Sequence, residues 1–123
     1  MNIVIVDDSK AVHAFLEEIF SGVCEALVHC YNGQEAINTL TKGSQGIDLV
    51  LLDWEMPVLS GIDALPKLRA LHAELPIMMM TSKNAMSDII MALENGAQDY
   101  IIKPFTKDIL MSKIEQVLGR KVA

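Results

Sequence analysis

Short apolar runs alternate along this chain with segments whose apolar residues recur at helical spacing. Runs of strand length fall at residues 3–6, 26–30, 49–52, 77–80 and 100–102. Between the first two, Val12, Phe15, Leu16, Ile19 and Phe20 follow the i, i+3, i+4, i+7, i+8 rule, with Glu17 and Glu18 on the other face. Ser9 just before them predicts a cap. A weaker helix is predicted over about 33–41 from Ala36, Ile37 and Leu40. A third follows Gly61, with Ile62, Leu65 and Leu68 inward. Met86, Ile90 and Leu93 predict the inward stripe of a fourth, ended by Gly96, with Ile89 and Met91 off it. Leu110, Ile114, Val117 and Leu118 predict a fifth, ended by Gly119. This alternation predicts an α/β domain with a parallel sheet. Four of the runs are continuously apolar, as expected of strands covered by helices on both faces, whereas 26–30 is mixed and reads as an edge strand.

In such sheets ligands bind beyond the carboxyl ends of the strands. The residues there are Asp7 and Asp8 after the first run, Asp53 after the third, Thr81 and Ser82 after the fourth, and Lys103 and Pro104 after the fifth. Carboxylates brought together repel unless a cation sits among them or one is chemically modified. An oxygen-only donor set suits a hard cation, and Mg²⁺ characteristically takes one or two carboxylates while keeping waters. A carboxylate is also a nucleophile able to form an aspartyl-phosphate, and phosphoryl transfer needs little beyond positioning and charge stabilisation. Acids, a hydroxyl and a lysine are the parts such a site requires.

Composition narrows the classes further. A length of 123 residues fits one domain, 1–123, and 51% hydrophobic residues supply a full core. A net charge of −6 argues against direct nucleic-acid binding. No apolar stretch reaches the roughly 18 residues of a membrane span, and no signal peptide precedes the first run, so no membrane insertion and a cytoplasmic location are expected. Cys24 and Cys30 are read as free thiols, and His13, His29 and His72 show no metal-ligand spacing. Met78, Met79 and Met80 read as core filling.

Asp7-Asp8, Asp53-Trp54-Glu55-Met56-Pro57, Gly61, Thr81-Ser82, Gly96-Ala97 and Tyr100-Ile101-Ile102-Lys103-Pro104-Phe105 together resemble the receiver domain of two-component response regulators, most nearly the single-domain chemotaxis (CheY-like) type. The resemblance spans residues 2–119. It implies a flavodoxin-like (βα)5 fold, doubly wound, with strand order 2-1-3-4-5 and helices on both faces. It implies that Asp53 accepts a phosphoryl group from a histidine kinase or a histidine phosphotransfer protein. Asp7, Asp8, Asp53 and the Glu55 backbone carbonyl would hold Mg²⁺, with Mn²⁺ able to substitute. Lys103 would pair with Asp53 and then with the phosphoryl group, and Thr81 would bond a phosphoryl oxygen. Tyr100 would be the switch aromatic, Ser82 would leave room for the phosphoryl group, and the Lys103–Pro104 bond would be cis. The resemblance also implies that Glu55 and Lys83 occupy positions that tune phosphate lifetime, and their opposite charges predict an ion pair across the site mouth. Trp54, beside the acceptor, would report binding by fluorescence.

The protein is therefore expected to be a signalling switch and not an enzyme beyond its own phosphorylation and dephosphorylation. Its helix 4–strand 5–helix 5 surface would bind a downstream protein such as a flagellar motor switch component. Met1 and the short end after the last helix give the expectation of a stand-alone regulator, the alternative being a receiver excised from a DNA-binding regulator or hybrid kinase. A haloacid-dehalogenase-type Mg²⁺ phosphatase would want an acid two residues after the nucleophile, specifically a second Asp where Glu55 stands. A flavin-mononucleotide carrier would need a phosphate-binding loop where Asp7 and Asp8 stand.

Overall fold

The structure, a computed structural model, describes residues 1–122. Its elements are β1 Asn2–Val6, α1 Lys10–Phe20, β2 Ala26–Cys30, α2 Gly33–Thr41, β3 Leu49–Leu52, α3 Gly61–Leu71, β4 Ile77–Thr81, α4 Met86–Glu94, β5 Asp99–Ile102 and α5 Lys107–Leu118. The five strands are parallel in order β2-β1-β3-β4-β5, the expected doubly wound arrangement.

Strand periodicity of two divides the core into two layers. Val4, Val6, Val50, Leu52, Ile77 and Met79 face α2, α3 and α4 through Ala36, Leu40, Leu65, Leu68 and Ala92. Ile3, Ile5, Leu49, Leu51, Met78 and Met80 face α1 and α5 through Leu16, Phe20, Leu110 and Ile114. The central strands are therefore apolar over 3–6, 49–52 and 77–80 because both of their faces are covered, with Asn2 and Thr81 at the ends. Capping side chains start four helices: Ser9 accepts from the Val12 N–H, Asn32 from Glu35, Ser60 from Asp63 and Thr106 from Ile109.

Two helix faces differ from the sequence reading. Phe15 is 43% exposed and packs on Phe105 with the rings tilted by 50° and their centroids 5.9 Å apart. On α4 the predicted inward residues Met86, Ile90 and Leu93 are 68%, 46% and 45% exposed, while Ala92 is buried and Ile89 packs against the core. Apolar residues run nearly all round α4, so periodicity could not choose its phase. Ala92 and Ile89 join the cluster of Tyr100 and Ala97, and Met86, Ile90, Met91 and Leu93 are left outside.

Candidate functional site

Register builds the site. β1 and β3 pair with Val6 beside Leu52, so the next residue on each strand, Asp7 and Asp53, lie side by side. The Asp53 N–H continues the ladder by donating to the Val6 carbonyl at 2.8 Å. One carboxylate oxygen from each of Asp7, Asp8 and Asp53 lies within 4.8 Å of the others. Asp7 is fully buried, Asp53 is nearly so, and Asp8 stands exposed at the rim. Asp7 Oδ1 accepts from the Ser9 N–H at 2.8 Å, and Asp53 Oδ1 accepts from the Trp54 N–H at 2.8 Å.

β4 and β5 pair with Thr81 beside Ile102, and the Lys103 N–H donates to the Thr81 carbonyl at 2.9 Å. This carries Lys103 to the same edge, where its Nζ lies 2.6 Å from Asp7 Oδ2 and 3.5 Å from Asp53 Oδ1. Asp7, the more deeply buried carboxylate, holds the closer ion pair, whereas the resemblance pairs the lysine with Asp53. The Lys103–Pro104 bond is cis. Burial first, and the neighbouring Asp7 second, push the Asp53 carboxyl up to about 6 against the opposing pull of Lys103 and the Trp54 N–H. Three carboxylates thus face one ammonium at a site made of oxygen donors, an arrangement that a hard divalent cation fits.

Gly61 explains how α3 starts so near the acceptor. Its N–H donates to the Trp54 carbonyl at 2.7 Å, and a Cβ there would run into the Asp53 carbonyl. The Glu55 backbone lies in this same loop. Its side chain turns outward and meets Lys83, Oε1 to Nζ 3.0 Å, and the pair raises the lysine's pKa. The Lys83 Nζ also lies 5.5 Å from the Trp54 ring centroid.

Thr81 is buried, and its hydroxyl accepts from the Lys83 N–H at 3.2 Å, leaving its own hydrogen free. The buried Tyr100 donates its hydroxyl to the Lys83 carbonyl at 2.7 Å. Burial, then Asp88 and Asp53, push this phenol up to about 12, so it remains a donor. Thr81 and Tyr100 therefore grip opposite sides of the Lys83 backbone, a role of that residue separate from its charge. Ser82 is exposed at the mouth. A largely apolar cleft of about 450 Å³ opens beside Lys103, lined by Ala11, Val12, Phe15, Pro104 and Phe105.

In the sequence the three histidines show no metal-ligand spacing. In the structure His13 is buried and bonded to the Asp7 carbonyl. The legible signal was its place in the α1 stripe with Leu16 and Phe20, a polar residue at a core position. Cys24 and Cys30 are free, and burial raises both thiols.

The family model for the response regulator receiver domain matches residues 3–115. The chain is similar to a chemotaxis protein CheY homolog of Campylobacter jejuni, 32% identical over 122 residues, covering 97% of this chain and 93% of that protein. It is also 35% identical over 118 residues to the transcriptional regulatory protein CpxR of Escherichia coli, covering 96% of this chain and 49% of CpxR. Among solved structures, the CheX-CheY-BeF3-Mg²⁺ complex from Borrelia burgdorferi aligns with a TM-score of 0.91 at 25% identity, covering 95% of this chain and 88% of that one.

Proposed function

The chain belongs to the response regulator receiver domain family, and on that premise we propose that Asp53 is the phosphoacceptor of a two-component signalling switch. The observation that carries the reading is the crowding of Asp7, Asp8 and Asp53 against Lys103, with Asp53 nearly buried at the centre. Asp7, Asp8, Asp53 and the Glu55 carbonyl would hold Mg²⁺, or Mn²⁺ in its place. When bound, that ion supplies neutralisation of the phosphoryl oxygens and of the acidic trio.

An Asp53 carboxylate oxygen forms the new bond to phosphorus as the donor's phosphorus–nitrogen bond breaks, the imidazole leaving on the kinase or phosphotransfer protein. Lys103, already within reach of Asp53, then pairs with the added dianion. The free hydrogen of the Thr81 hydroxyl is available to a phosphoryl oxygen. Moving Thr81 disturbs its bond to the Lys83 N–H, and Tyr100 holds the other end of the same residue. The added charge is thereby passed to the β4–α4 segment and β5.

The apolar residues left exposed there, Met86, Ile90 and Leu93 on α4 and Ile102 on β5, support α4-β5-α5 as the face presented to a downstream protein. A motor-switch component fits the chemotaxis relatives. The exposed Glu55–Lys83 pair stands across the mouth and retards the water that would remove the phosphate. The Glu55 side chain is engaged by Lys83 and does not stand as the second Asp that a haloacid-dehalogenase-type phosphatase wants.

Incubation with Mg²⁺ and acetyl phosphate tests the reading by intact mass. We expect a gain of one phosphoryl group that is absent in Asp53→Asn and in chelator, with faster loss of the label in Lys83→Ala. Retention of the label by Asp53→Asn, or steady turnover of phosphate esters, would sink it.

A further inference from the structure

His13 lies inside the helical stripe of α1, and its Nε2 is 2.7 Å from the Asp7 carbonyl. On its other side, Nδ1 lies 2.6 Å from His29 Nδ1, and His29 Nε2 is 2.8 Å from the Glu17 carboxylate. The Tyr31 ring covers His13 with centroids 4.3 Å apart. One line of contacts therefore runs from Glu17 on α1 through His29 on β2 and back through His13 to the backbone of Asp7.

The partners decide where the hydrogens sit. A carbonyl and a carboxylate only accept, so both outer ring nitrogens carry hydrogen. The facing Nδ1 atoms share one more, since none would oppose two lone pairs and two would collide. The line is thus a polar network satisfied from end to end, the condition under which such a network holds a single geometry.

Asp7 is the fully buried member of the acidic trio. Its N–H is tied to Cys30, one carboxylate oxygen to Ser9 and the other to Lys103. Its carbonyl belongs to the peptide that leads into Asp8, and His13 is what holds that carbonyl. We propose that His13 is a positioning residue for the cation-binding carboxylates, its ring held in place by His29, Glu17 and Tyr31. This rests on reading the trio as a divalent-cation site.

Calorimetric titration of the full chain with Mg²⁺ tests it, with metal-free melting followed in parallel. Loss of an outer-shell partner commonly costs 10–100-fold in metal affinity, and since His13 holds the backbone of a ligand rather than its carboxylate, His13→Leu is expected to weaken Mg²⁺ binding by about 3–10-fold. His13→Gln places an amide N–H near the position of Nε2 and restores most of the affinity. His29→Leu, made at a half-buried surface side chain, weakens binding less than His13→Leu but in the same direction. The proposal is overturned if His13→Leu binds Mg²⁺ as the parent does while melting lower, or if His13→Gln binds no better than His13→Leu. Should His13→Leu not fold, unchanged Mg²⁺ affinity in both His29→Leu and Glu17→Gln overturns it instead. A parent protein that binds no Mg²⁺ would instead refute the site reading itself, an outcome distinct from any ranking of the variants.

Discussion

Asp53 is a residue whose charge its surroundings disfavour. Its carboxyl titrates at about 6 in the fold against 3.8 in an unstrained chain, because burial and Asp7 disfavour its charge. Between those values the metal-free fold binds a proton that the unfolded chain has lost. Stability from this group is therefore complete below pH 3.8 and gone once pH has risen through about 6. Asp53→Asn removes the charge. In chelator at pH 7 we expect it to melt higher than the parent by on the order of 3 kcal/mol, the equivalent of about two pKa units, with the gap closing toward pH 4. A gap that is constant with pH, measured by urea denaturation at each value, would contradict this account. That two strands end in acids was plain from the sequence. Which acid is buried, and that Lys103 lies nearer Asp7 than Asp53, depended on distances between residues almost a hundred positions apart, which no local pattern carries.

At the scale of elements, the loop from β3 to α3 is held under strain. Val58 has φ 69° and is 82% exposed, an unfavourable backbone region for a β-branched residue with no packing to offset it. The Leu59 N–H closes a tight turn onto the Pro57 carbonyl at 2.7 Å, and the Leu59 carbonyl accepts from Gly33 at 2.9 Å. These flanking bonds hold the turn in place. Val58→Gly is expected to raise stability by about 0.5–1 kcal/mol, the relief of strain less the added chain entropy, read from the denaturation midpoint. Gly61→Ala should cost more than about 2 kcal/mol, since backbone must shift beside the acceptor. The helices themselves were legible where an apolar stripe stood against a polar face, as on α1 and α5. On α4 the pattern failed because Met86, Ile89, Ile90, Met91 and Leu93 surround the helix, so only docking on the sheet selected Ala92 and Ile89.

Across the whole molecule, one side chain ties together the edge opposite the acidic site. The Arg69 guanidinium donates to the carbonyls of His72, Ala73, Leu75 and Gly96 and to Gln98 Oε1, joining the end of α3, the approach to β4 and the α4–β5 turn. Gly96 sits at φ +112°, where a Cβ would crowd Arg69 at 3.1 Å. Arg69→Ala should cost about 2–3 kcal/mol in urea unfolding and Arg69→Lys should recover little, because a single ammonium cannot span the fork. Equal stability of the Lys variant and the parent would show that charge alone suffices.

Alternating runs and stripes, by themselves, determined the five βα units of this protein, the two-sided burial of its central strands and the chemistry gathered at one sheet edge. These follow from periods of two and 3.6 residues, which any short window displays. Tertiary structure alone decided the phase of α4, the preference of Lys103 for Asp7, the shared grip of Thr81 and Tyr100 on the Lys83 backbone, and the line from Glu17 through two histidines to Asp7. Each depends on the register and approach of elements far apart in the chain, and such proximity is set by the packing of the whole core rather than by any segment of it.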